Sequence, residues 1–371
     1  MLLYKITHTK IGDNMSNNKK YNCFILFATF SRNIIEILSC VLLYKMNYSI
    51  KDILLFFSIL YFLGIFISYF AIYLIKYIPP KVILFLSSLI FSFSYYYLSV
   101  MDNSITNLII FSILLSLGSY LFHPIRHYYA LMSLSIKRKK EIGNILIVSY
   151  MAIILSSYIG AYLTSTFGLV YVVIIIVILS IISILFLFNI KLNDKKIEYF
   201  KLEKNKLFFF IFEQFKVIFL TLQPLYLYLY VDNDIKYIGI INVIIGIASI
   251  IFTYFYVRKK NIYKSFRILN ILFCFILVLK INIINKYILL IIAFFEGLGI
   301  KMYEVISSNN IYNIDNINKR GYIIEVELIF CLARSLICFI FFIFFNDIKI
   351  MLYISIFGIF ISGLIKLYNN N

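Results

Sequence analysis

The sequence predicts an all-α, polytopic membrane protein of about twelve transmembrane helices in two six-helix bundles. Three observations predict it. Apolar residues make up 63% of the 371-residue chain and charged residues only 14%, against about 45–50% and about 25% in soluble domains. Twelve apolar stretches are each long enough to cross a bilayer, which takes about 20 helical residues. Basic residues cluster between those stretches in an alternating pattern. So few polar side chains cannot cover a water-facing surface, which excludes a soluble enzyme, a disordered chain and a disulfide scaffold. Ile, Asn, Lys, Tyr and Phe dominate and Trp is absent. An AT-rich genome produces that composition by itself, so the arrangement of charges carries the argument.

The chain opens on a polar, basic leader, residues 1–21, without the apolar stretch of a signal peptide. Met15 is an alternative start, because Met15-Ser-Asn-Asn-Lys-Lys reads as an ordinary cytoplasmic leader. The first six spans are read at 22–44, 52–75, 82–100, 107–132, 143–166 and 169–190. The other six are read at 207–231, 235–257, 268–285, 287–309, 321–345 and 348–367, the division at Asn285 being the least sharp. With the N-terminus inside, the cytoplasmic segments hold 24 Lys and Arg residues and the outer segments hold five: Lys45, Lys51, Lys236, Lys286 and Lys349. That split follows the positive-inside rule and places both termini in the cytoplasm. It also accounts for the net charge of +18 without a nucleic-acid partner. The charged stretch 191–206, with six lysines, reads as a cytoplasmic linker between an N-terminal bundle (22–190) and a C-terminal bundle (207–371). Two bundles of six spans are the layout of transporters built from structural repeats.

Charged residues inside spans are costly, so they point to a partner or a water-filled path. In the first span Arg32 and Glu36 stand four apart on one helix face and can pair; that face is expected to line a central cavity, with Arg32 meeting an anionic group and Glu36 a cation or a proton, the alternative being a structural pair. In the fourth span, His123, Arg126 and His127 surround Pro124, with Arg126 a candidate gate and the histidines a candidate proton relay. In the seventh span, Glu213 and Lys216 are expected to pair, and Gln223 beside Pro224 is a candidate substrate hydrogen-bonder. Lys280 is expected to snorkel at an outer end. Glu296 in the tenth span and Arg334 in the eleventh are expected to face each other, while Lys301, Glu304 and Glu325 read as interfacial. Five cysteines (Cys23, Cys40, Cys274, Cys331 and Cys338) lie in apolar segments without a CxxC pair and read as small apolar residues. No HExxH, P-loop, GxSxG or Cys/His metal spacing occurs, so no enzyme, cofactor or direct ATP drive is expected.

One region carries a family resemblance. Leu117-Gly118-Ser-Tyr-Leu-Phe-His-Pro124, a basic cluster 137–140, then Gly143, Gly160 and Gly168 resemble the fourth and fifth spans of the major facilitator superfamily. Glu327, seven residues before Arg334, resembles a Glu…Arg spacing of some bacterial members. The loop between spans two and three departs from the family pattern. Lys76 and Lys81 match its basic gating positions, but Ala71, Ile75 and Ile78 replace its Gly, Asp and second Gly. The Gly-Pro signature of antiporters in span five is missing as well. The resemblance implies a secondary transporter of the cell membrane, working by alternating access on an ion gradient, with protons as candidate coupling ion. Arg32, Glu36, Gln223, Glu296 and Arg334 are its expected substrate or ion site. Both signs of charge suit a zwitterionic or small polar solute, with a lean to export and a monomer expected. Two alternatives stay open: a non-transporting sensor or assembly scaffold on the same frame, and a membrane-embedded lipid transferase.

Overall fold

The computed structural model describes residues 17–133, 138–187, 203–256, 262–312 and 319–365. These form fourteen α-helices that make twelve spans. The first span is two helices, α1 (Asn17–Glu36) and α2 (Ser39–Lys45). The second and third are α3 (Ile50–Leu74) and α4 (Pro80–Val100). The fourth is again broken, into α5 (Ile105–Tyr120) and α6 (His123–Ser133). The fifth and sixth are α7 (Arg138–Thr166) and α8 (Leu169–Leu185). The second six are α9 (Lys204–Tyr230), α10 (Ile235–Tyr256), α11 (Ile262–Asn282), α12 (Lys286–Tyr312), α13 (Lys319–Phe344) and α14 (Ile348–Leu364). Most of the predicted linker 191–206 lies outside the described residues.

Local chemistry sets the boundaries. Ser49 and Asp52 form a reciprocal capping box at the start of α3, after a turn in which Asn47 takes a φ of 66°. Pro80 opens α4 at a position where its missing N–H is no loss. Asn285 stands between α11 and α12, and its Oδ1 accepts from the backbone N–H of Tyr287 at 3.0 Å and of Ile288 at 3.3 Å. That cap makes two spans of the stretch whose division is faint in sequence. Pro224 sits inside α9, which continues through it.

Packing reveals a repeat that residue identities hide. In the first half, span one packs on five and six, span four on two and three, and span three on six. In the second half, span seven packs on eleven and twelve, span ten on eight and nine, and span nine on twelve. Adding six to every span number converts one set into the other. The main contacts between halves, five with eight and two with eleven, interchange under the same rule. The chain is therefore two six-helix bundles of one design.

Bilayer-spanning helices lack a hydrophobic drive to associate with one another, so close backbone approach and polar contacts hold the spans. Ser112 and Ser116 Oγ donate to the carbonyls of Phe56 and Leu60, joining span four to span two. Ser249 Oγ donates to the Gly297 carbonyl between spans eight and ten. Tyr303 OH bonds the Asn270 side chain, Ile359 O and Ser362 Oγ, tying spans nine, ten and twelve. Large apolar side chains such as Phe66 (60% exposed) and Phe275 (60%) face outward, a surface that only lipid covers favourably. At Gly160, an added Cβ would strike the Ile34 carbonyl, so this glycine sets the approach of span five to span one. Gly160→Val is expected to destabilise the protein by about 1–3 kcal/mol, as overpacking does. Gly168, at φ +88° and ψ 174°, occupies a backbone region essentially restricted to glycine, so Gly168→Asn is expected to destabilise the protein by about 1–3 kcal/mol although an added Cβ meets nothing. Thermal unfolding in detergent measures both.

Candidate functional site

A cavity of about 330 Å³ lies between the two halves, within the end of the bundle that bears the basic loops. Spans one, four and five build one wall with Thr29, Asn33, His123, Arg126, His127, Ser149 and Tyr150. Spans seven, ten and eleven build the other with Glu213, Gln214, Lys216, Glu304, Ser307, Glu327 and Arg334. The opposite end is closed by contacts across the halves. Ser335 Oγ donates to the Ser58 carbonyl at 3.1 Å and Ser58 Oγ to the Ser335 carbonyl at 3.4 Å. Cys40 Sγ lies 2.9 Å from the Thr221 carbonyl, and the rings of Tyr44 and Tyr228 meet at 6.4 Å. Small residues bring span eight against span five there, with Gly239 over Ala161.

Most charges on the cavity wall are satisfied locally. Lys216 Nζ lies 3.1 Å from Glu213 Oε1, the expected i,i+3 pair. Tyr150 OH donates to Glu304 Oε1 at 2.7 Å across the halves. Lys301 Nζ lies 3.3 Å from the other Glu304 oxygen and 3.7 Å from the Tyr150 ring centre. His127 Nε2 lies 3.4 Å from Glu327 Oε1, a second bridge between halves. Arg334 Nε donates to Gln214 Oε1 at 2.7 Å.

Arg32 takes a different place from the one its spacing suggests. It is buried, and Nη2 donates to the Gly118 carbonyl at 2.8 Å. That carbonyl is free because α5 breaks there. The Phe122 N–H, which a continuing helix would aim at Gly118, bonds Ser119 O instead. The guanidinium is held between the rings of Phe91 (4.4 Å) and Phe122 (3.9 Å). Arg32 thus splices the two broken spans, and no ion pair joins it to Glu36 among the described residues. Glu36 ends α1 at the break, is solvent-accessible, and lies within electrostatic reach of Arg32, Arg126 and Arg334. Glu36 does not line the cavity.

The C-terminal half corrects further expectations. Glu296 does not face Arg334: it pairs with Lys280, and both are buried inside the second bundle, away from the cavity. Lys280 therefore does not snorkel. Lys301 is fully buried under Tyr150, so it is not interfacial, and Glu304 faces the cavity beside it. Gln223 lies near Glu296, outside the cavity wall. Lys76 is exposed, 5.2 Å from the Tyr73 ring, and neither Lys76 nor Lys81 reaches the cavity. Of the residues singled out in sequence, the cavity gathers His123, Arg126, His127, Glu213, Lys216, Glu304, Glu327 and Arg334. Sequence reasoning missed Gln214 and Tyr150. Gln214 had a signal, since a Gln beside Glu213 inside an apolar run is itself costly. Tyr150 had none among 32 tyrosines.

No family model matches the chain, and no curated protein sequence matches it. Among solved structures, it is similar to the crystal structure of a bacterial homologue of the iron transporter ferroportin in an outward-facing state. The likeness has a TM-score of 0.69 over 95% of this chain and 98% of that one, at 11% identity. At that identity it establishes the fold alone: this is a multi-pass, all-α membrane protein with a transporter-like arrangement of twelve spans.

Proposed function

We propose that this chain is a secondary transporter that moves a small solute across the membrane by alternating access. One observation carries the reading: a cavity walled by charges from both halves lies toward one end, while contacts between the halves close the other end. Such a site serves both sides if the bundles rock about it. The breaks in spans one and four, beside Glu36 and His123, support this, because broken helices at mid-membrane accompany solute sites. The basic end is assigned to the cytoplasm of the cell membrane by the loop charges, with both termini on that side. An ion gradient, with protons as the candidate ion, supplies the drive. The iron of ferroportin, of which the structural neighbour is a homologue, is not carried over, since a likeness at 11% identity supports the fold and not the solute.

The test is two-sided accessibility of the cavity wall. Ser149→Cys, in a chain whose five native cysteines are replaced, is treated with a membrane-impermeant thiol reagent in oriented vesicles. Labelling from the basic side is expected to be fast. Labelling from the other side is expected to be slower but real. Labelling from one side only, across pH and candidate solutes, would refute the reading.

A further inference from the structure

We propose that the solute carries an anionic oxygen group, carboxylate or phosphate, held between Arg126 of the first half and Arg334 of the second. This rests on the transporter reading and adds the chemistry of what is bound. Among the described residues, three permanent cations line the cavity: Arg126, Lys216 and Arg334. Lys216 is neutralised by Glu213 at 3.1 Å. Of the other two cavity carboxylates, Glu304 is engaged by Lys301 and Tyr150, and Glu327 has the His127 ring at 3.4 Å. Among the described residues, no carboxylate lies within ion-pair distance of Arg126 or Arg334. Arg126 has a 3.4 Å contact from Nη2 to His127 Nε2. Arg334 spends only Nε, on Gln214, which fixes the guanidinium plane and leaves its terminal nitrogens available.

Two guanidinium groups on opposite walls of a membrane cavity, with no carboxylate in ion-pair contact among the described residues, are an unfavourable arrangement unless something anionic completes it. The planar fork of N–H donors matches the paired oxygens of a carboxylate or phosphate. The placement also couples binding to motion. Each arginine belongs to a different half, so repulsion between them favours the cavity staying open. An anion bridging the two removes that repulsion and draws the walls together at the basic end, which frees the opposite end to open. Glu36 and Glu327, within electrostatic reach of both arginines, keep the field moderate and so allow release.

The experiment is thermal unfolding of the purified full chain at constant ionic strength. The probes are succinate, inorganic phosphate and glycerol 3-phosphate, with mannitol and putrescine as neutral and cationic controls. At least one anion is expected to raise the unfolding temperature saturably, while the controls do not. Succinate alone would assign a carboxylate, and the phosphates alone would assign a phosphate. Arg126→Gln and Arg334→Gln are each expected to weaken the apparent affinity by about tenfold or more, the loss of a charge-assisted, two-pronged bond. Lys349→Gln, at the opposite end over Tyr230, should leave it unchanged. If a Gln variant does not fold, its Lys counterpart keeps the charge, loses the fork and should still bind more weakly. No shift with any of the three anions, or a shift that survives both arginine substitutions, overturns the proposal. Two-sided labelling at Ser149→Cys stands or falls independently, so failure of the anion site and failure of transport are told apart.

Discussion

Lys280→Met, with Glu296 left in place, is expected to destabilise the protein by about 3–5 kcal/mol, the loss seen when one partner of a buried ion pair is removed. Glu296 is 0% exposed and Lys280 1% exposed. One Glu296 oxygen already lacks a hydrogen-bond partner, so without Lys280 the carboxylate would be left with little compensation inside the second bundle. The double variant Lys280→Met with Glu296→Leu is expected to recover most of that stability, since an apolar pair of similar volume avoids desolvating either charge. Thermal unfolding of the single and double variants measures this. A single variant as stable as wild type would mean that Glu296 finds another partner and that the pair is not what holds spans nine and ten together.

The second large effect concerns motion. Ser58 and Ser335 exchange side-chain to carbonyl contacts across the halves, so cysteines at both positions are close enough to bridge. Oxidation of Ser58→Cys with Ser335→Cys is expected to abolish labelling of a cavity cysteine from the end opposite the basic loops. Labelling from the basic end should persist, and reduction should restore labelling from the other end. The expected loss is complete, because a covalent link between spans two and eleven removes the rocking itself. Labelling unchanged by oxidation, with the disulfide confirmed on a gel, would show that the halves do not separate along this seam.

Much of the fold was legible because charge placement in loops survives compositional bias. The alternation of basic clusters separates twelve spans even where Ile and Phe run on without pattern. The pair Glu213–Lys216 was legible because it is local, three residues apart on one helix. The partners of the other buried charges were not legible. Arg32 reaches Gly118, 86 residues away, and Glu304 is met by Tyr150, 154 residues away. In a membrane both the lipid-facing and the buried faces of a helix are apolar. The periodicity that tells inside from outside in a soluble helix is therefore weak, and the sequence does not say which charged face meets which. The helix break that frees the Gly118 carbonyl was equally hidden. Pro124 signalled a disturbance in span four, but Arg32 as the group that repairs it depends on the packing of span one.

The most direct measurement of the central claim is the distance between the halves at the end that is closed here. Spin labels at Asn103→Cys and Asn346→Cys, both exposed in turns at that end, would be followed by pulsed dipolar spectroscopy in lipid nanodiscs. Two distance populations are expected, one matching this closed arrangement and one longer, whose ratio shifts when a bound anion or pH changes. A single short distance, unmoved by pH, sodium or any candidate solute, would contradict alternating access and leave a rigid membrane scaffold.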